Sequence, residues 1–219
     1  MRALLPLVVA VVLLGSGCAT IQGYVVRESR AVETRRVGAI LDPLLAALEL
    51  PSLRAMSSST CKIGFAVVRT DKVNVWSTPG TASPCLHFSL FVTEGALAAP
   101  TDELTAMIAH ELGHLMLQHT PQSARQTSPS SGSWRAIQEQ ELEADHFAVA
   151  LLKQLPGSSP RACEAMGRFL RRGAADWYGD DMSPRMEAAV SERVESADAA
   201  CASAAVSLPR RVTPVSLVP

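Results

Sequence analysis

His110-Glu111-Leu112-Gly113-His114 lies in an apolar run, with Ile108 before it and Leu115 and Met116 after it, and reads as the inside of a helix. Thr101 is the expected N-cap, Asp102 and Glu103 suit the positive end of the helix, and the pattern runs to about Gln118. Residues four apart stack on one helical face, so the imidazoles of His110 and His114 point the same way. Two neutral imidazoles so placed supply half of a tetrahedral zinc shell, and Glu111 between them can reach a water there as general base. A chance pair of surface histidines would sit badly on so apolar a helix, where unpartnered polar groups are costly.

A third protein ligand is needed. His119 follows His114 by five residues, about 140° round a continuing helix, so it is expected off that face as a solvated or capping side chain. The metzincin pattern fails, because Leu117 and Thr120 stand where it needs glycine and histidine. His87, on an expected strand, reads as a packed strand residue more readily than as a ligand. The helix expected over Trp134–Leu155 carries Glu139, Glu141, Glu143 and Asp145. Helical projection gathers Ile137, Ala144, Ala148, Leu151 and Leu152 in one stripe with Glu141 and Asp145, and leaves Glu143 well off it. A core-facing carboxylate needs a cation or a donor. One of the two would bind zinc while the other, a turn along, accepts the free N–H of a ligand histidine. Glu143 is expected to be dispensable for metal and activity.

His110-Glu111-Leu112-Gly113-His114 followed by Glu141-Leu142-Glu143-Ala144-Asp145 resembles the two zinc motifs of metallopeptidase family forty-eight, the HtpX-like, CAAX prenyl protease-like and periplasmic BepA-like gluzincins. The stretch from Val73-Asn74-Val75 through Phe91-Val92-Thr93-Glu94-Gly95-Ala96-Leu97 to Asp102-Glu103-Leu104 is similar as well, and the likeness covers about residues 60 to 155. It implies one zinc ion per chain held by His110, His114 and Glu141, with Glu111 activating the water and Asp145 supporting the site or donating a proton. The chain departs from the family in a short span between His114 and Glu141. It also has Ser183-Pro184, with Ala189 six residues on from Ser183, where many periplasmic members carry His-Pro and an arginine. Arg185 and Arg193 are the candidates to replace that arginine.

Around the motifs, a helix or helix pair broken at Pro43 is expected over Tyr24–Leu50. Ile63–Val68, Val73–Trp76 and Leu86–Val92 read as three short strands divided by turn residues. Two further helices are expected at about 160–175 and 184–203. The fold class is therefore α+β, mostly helical with one small three-stranded sheet, and the resemblance makes it zincin-like: one domain over 18–206 with a flexible tail at 207–219. The strand around Leu86–Val92 is expected to be an exposed edge to which an extended polypeptide could pair.

Met1 and Arg2, the apolar run Ala3–Leu14 and the close Gly15-Ser16-Gly17-Cys18 form an export signal over 1–17. Cysteine after Ser-Gly resembles the lipobox of bacterial lipoproteins, with Cys18 acylated; a plain signal peptide or a retained anchor helix are the alternatives. An oxidising compartment lets Cys61, Cys85, Cys163 and Cys201 pair, and the organisation favours Cys61 with Cys85 and Cys163 with Cys201 over four free thiols. The 219 residues carry 20 basic and 21 acidic side chains, a net charge of -1 that would not steer the chain onto nucleic acid. The expected function is a zinc-dependent endopeptidase acting on envelope polypeptides, held by lipid at a bacterial envelope membrane and facing the periplasm. The alternative is a zinc-stabilised chaperone or binding lipoprotein with little proteolysis.

Overall fold

The structure, a computed structural model, describes residues 26–50, 63–79, 88–119, 131–156, 160–179, 182–203 and 208. The export signal, Cys18, Cys61, Cys85, His87 and nearly all of the tail lie outside the described residues. Within them the chain is α+β and mostly helical. Strand β1 (Val26–Glu28) leads into helix α1 (Ala31–Ala47), then β2 (Ile63–Val68), β3 (Val75–Pro79), β4 (Phe88–Thr93) and the short helix α2 (Glu94–Ala98). Four long helices follow: α3 (Thr101–Met116), α4 (Ser131–Gln154), α5 (Pro160–Tyr178) and α6 (Pro184–Ala202). No helix among the described residues is long and apolar enough to cross a membrane.

Among the described residues the sheet has four strands, not three, in the order β1-β2-β4-β3. β1 was missed because it is only three residues long and sits in a stretch that reads as helix. It pairs antiparallel with β2 from Val26 opposite Val68 to Glu28 opposite Ala66. β2 and β4 run parallel, Ile63 to Val68 against Phe88 to Thr93, and β3 closes the other side of β4 antiparallel, with Ser77 opposite Leu90. The strand expected to be an exposed edge is therefore an inner strand, and among the described residues β1 and β3 end the sheet. Phe88, Leu90 and Val92 alternate into the core, as one buried face of a strand requires.

Pro43 does not break α1. Leu44 and Leu45 just beyond it are fully buried, as is the face formed by Val37, Ile40 and Leu41. Burying two leucines is worth roughly 1.5–3 kcal/mol each, which offsets the loss of about 3 kcal/mol from proline in a helix interior. α3 is the central helix: Leu104, Met107, Ile108, Ala109 and Leu112 are fully buried as it packs against α4, α5 and β3. Its N-cap is Pro100, with Thr101 already in the first turn.

Two close approaches fix the elements around the site. A Cβ on Gly95 would stand 2.0 Å from the Asp71 carbonyl oxygen, so only glycine lets α2 start against the β2–β3 connection. A Cβ on Gly113 would meet Ala144 O at 2.9 Å and Ala144 Cα at 3.1 Å. Bare backbone against alanine brings α3 and α4 together at the level of the two motifs. α5 and α6 are joined by a disulfide between Cys163 and Cys201, with Cα atoms 5.6 Å apart.

Candidate metal centre

The turns of α3 and α4 that meet at Gly113 and Ala144 bring His110, Glu111 and His114 against Glu141 and Asp145. Glu111 and Asp145 are buried, His110 is 4% exposed, and the Glu141 side chain keeps 30% of its surface open. His110 Nε2 and His114 Nε2 are 3.0 Å apart. The Glu141 carboxylate straddles them, Oε2 at 3.4 Å from His110 Nε2 and Oε1 at 3.5 Å from His114 Nε2. Ligands at the zinc distance of roughly 2.0–2.1 Å in a tetrahedron stand about 3.4 Å apart, so this triangle has the size of three corners of such a shell.

The tautomers suit the same purpose. His110 Nδ1 lies 2.8 Å from Asp145 Oδ1, close though bent from a straight hydrogen bond, and His114 Nδ1 is 3.0 Å from His119 Nδ1. With protons on both Nδ1 atoms, both Nε2 lone pairs converge on one point. Two acceptor nitrogens and a carboxylate facing each other need a positive charge between them. Burial alone would strip the proton from His110, but hydrogen bonds to Asp145 and Glu141 and their charges win and lift it to about 10. Burial and the charge of His110 push His114 down to about 3. A proton on His110 thus supplies what a divalent cation would supply more fully, and cation binding would displace it.

One ligand atom from each of His110, Glu111 and His114 lies within 4.8 Å of the others, so two carboxylates compete for the third place. Their surroundings separate them. Glu111 Oε2 accepts hydrogen bonds from Ser77 N at 2.7 Å and Ser77 Oγ at 2.8 Å. Burial nonetheless pushes Glu111 up to about 7, against the pull of His110 and of Ser77. For Glu141 burial also favours the neutral form, but the Arg193 charge and the His110 hydrogen bond hold it far below the usual carboxylate range. A permanent anion facing two imidazoles has the chemistry of a ligand, and a carboxylate poised near neutrality has that of a base.

Arg193, one of the two arginines that are candidates to replace the missing one, comes from α6. Its Nε and Nη2 grip Asp145 Oδ2 and Oδ1 at 2.7 and 2.9 Å, and its Nη1 reaches Glu141 Oε2 at 3.0 Å. This fork opposes the burial of Asp145 and keeps it anionic for His110. Arg185 lies elsewhere, stacked over Trp134 at 5.2 Å. The Phe169 ring, 5.9 Å from that of His110, closes the apolar side.

His119 departs from its expected place. α3 ends at Met116, and Gln118 takes φ 59°, in the left-handed region. His119 N then donates to His114 O at 2.8 Å and Gln118 N to Leu115 O at 3.2 Å, the paired bonds of a Schellman cap. The cap folds His119 back onto the helix it has just left, and the 140° rotation never accumulates. Glu143, on the other flank of α4, is not idle: its Oε2 is 2.9 Å from His119 Nε2. Ser77 has no local sequence signal that leads to Glu111, and Arg193 none that singles it out from its neighbours on α6.

No family model matches the chain, and no curated protein matches it.

Proposed function

We propose that this chain is a zinc-dependent endopeptidase with a zincin-like fold, of the gluzincin kind that its motifs resemble. It would be exported, anchored through acylated Cys18 to a bacterial envelope membrane, and act on envelope polypeptides. The observation that carries the reading is the division of labour between two carboxylates: half-buried, anionic Glu141 facing two Nε2 atoms, and buried Glu111, raised to about 7, held beside them by Ser77. His110, His114 and Glu141 would hold the zinc ion, which would supply a Lewis acid for the scissile carbonyl. Glu111 takes a proton from the attacking water with Oε1, since Oε2 is occupied by both donors of Ser77, and passes it to the leaving amine. Asp145, clamped by Arg193, holds His110 in the Nδ1–H tautomer. Ser77 is the middle residue of β3, which ends the sheet beside β4 among the described residues, so a polypeptide lying along that edge would bring its backbone past Glu111, the acceptor of the Ser77 N–H.

The test is zinc content and cleavage of casein by the mature chain freed of its anchor, for wild type, Glu111→Gln and Glu141→Ala. Glu111→Gln should keep zinc and lose hydrolysis, and Glu141→Ala should lose tight zinc binding. Cleavage by Glu111→Gln near the wild-type rate would sink the mechanism, and zinc without any cleavage in wild type would favour the chaperone reading. For the anchor, Cys18→Ser in the full chain should leave the membrane fraction, and its retention there with normal processing would refute lipidation.

A further inference from the structure

The side chains behind His114 form a row that the metal reading does not need and the fold has nonetheless built. His114 Nδ1, His119 Nδ1, His119 Nε2 and Glu143 Oε2 follow one another with gaps of 3.0 and 2.9 Å on either side of the His119 ring. The His119 side chain is only 8% exposed, while Glu143 reaches in from an exposed position. Hydrogen-bond chemistry fixes the direction of the row. His114 must keep Nε2 free, so Nδ1–H donates to His119 Nδ1, and the remaining His119 proton on Nε2 donates to the Glu143 carboxylate. Each partner leaves the next one a single choice of tautomer. His110 is oriented quite differently, by Asp145 and the Arg193 fork.

We propose that His119 and Glu143 are positioning residues for His114: Glu143 sets the His119 tautomer, and His119 sets the ring angle and free Nε2 of the ligand. The inference rests on His114 being a metal ligand, as proposed above. Neither residue touches the metal or the substrate. Their effect is on how well one corner of the shell is pre-formed, and therefore on metal affinity before it is on rate.

The role differs from simple packing in three measurable ways. Loss of His119 removes the acceptor for His114, and outer partners of ligand histidines typically contribute about 10- to 100-fold in metal affinity. Loss of Glu143 acts only through His119, so its effect vanishes once His119 is gone. His119→Asn places Oδ1 where Nδ1 stood and keeps the acceptor for His114, but the shorter side chain no longer reaches Glu143.

The experiment is zinc affinity by competition with a chromophoric chelator, on the soluble mature chain, for wild type, His119→Ala, His119→Asn, Glu143→Ala and the His119→Ala/Glu143→Ala pair. Thermal unfolding without metal serves as the control for folding. The expected order is wild type tightest, His119→Asn and Glu143→Ala weakened by about 10-fold or less, and His119→Ala weakened by about 10- to 100-fold with the double variant equal to it. If wild type takes up zinc and Glu143→Ala binds as tightly, or the two single losses simply add, the relay is refuted while the metal centre stands. If wild type takes up no zinc, the metal centre and the relay fall together.

Discussion

Ser77 contributes two donors to one oxygen of Glu111, one from the backbone and one from the hydroxyl, so Ser77→Ala removes half of the clamp and leaves the strand intact. Both bonds favour the carboxylate anion. Loss of the hydroxyl bond should raise the Glu111 pKa further, so the acid limb of the pH profile of kcat/KM should move to higher pH, with activity below neutrality falling several-fold and zinc content unchanged. A profile superimposable on wild type would show that the hydroxyl does not act on the base. At this scale the sequence was legible where chemistry is encoded in local spacing. His110, Glu111 and His114 lie within one and a half turns, and Glu141 and Asp145 one turn apart, so projection alone groups them. Ser77 and Arg193 come from a strand and a remote helix, and no periodicity connects them to α3.

Helical projection also shows its own limits. It separated Glu141 and Asp145 from Glu143 correctly because α4 is continuous from Ser131 to Gln154. It misplaced His119 because it extended α3 beyond a cap that glycine usually announces and Gln118 here does not. The break expected at Pro43 came from proline chemistry and not from projection, and burial of the following leucines outweighs the missing hydrogen bond. Residue patterns could not give the order of strands, since Phe88, Leu90 and Val92 would face the core whether β4 lies inside the sheet or at its edge. The element that fixes the centre is the α3–α4 contact at Gly113. Gly113→Val would drive side-chain atoms into the Ala144 backbone, and overpacking of this kind costs roughly 1–3 kcal/mol. A lowered Tm together with weaker zinc binding is the expected result. Gly167→Ala on α5 is the control, since its added methyl meets only the side-chain ends of Arg171 and Asp198. Equal effects of the two substitutions would remove the special standing of the Gly113 contact.

Across the whole molecule, charge ties the N-terminal elements to the body. Glu33 on α1 is buried, accepts from Arg27 Nη1 and Nη2 at 2.8 and 2.9 Å, and also bonds Arg30; Arg27 Nε reaches Glu94 on α2 at 3.0 Å. The Arg27 hydrogen bonds outweigh the burial and hold the Glu33 carboxyl far below its ordinary value. The sign follows from linkage. A depressed carboxylate stabilises the fold fully above its unfolded pKa of about 4.3 and progressively less as the pH falls below it. Stability from denaturant unfolding should therefore drop on acidification from about pH 5. Glu33→Gln should lose on the order of 2 kcal/mol at neutral pH and show a shallower acid slope. An unchanged slope would mean that other groups govern the acid limb.

The grip of Arg193 on Asp145 has a further consequence for how the protein comes apart. Asp145 has no surface exposed to water, and its fixed positive partner comes from a helix that begins some forty residues later in the chain. Detaching α6 would take both Arg193 bonds from Asp145 and leave the carboxylate with His110 alone, and breaking a buried pair in this way is costly by about 3–5 kcal/mol. Fraying of the C-terminal third and loosening of the central helix pair are thereby one event, not two. Backbone amides in the middle of α3 and α6 should exchange with solvent deuterium at matching free energies, as members of a single cooperative unit. If α6 exchanged far more readily than α3, the two would open independently.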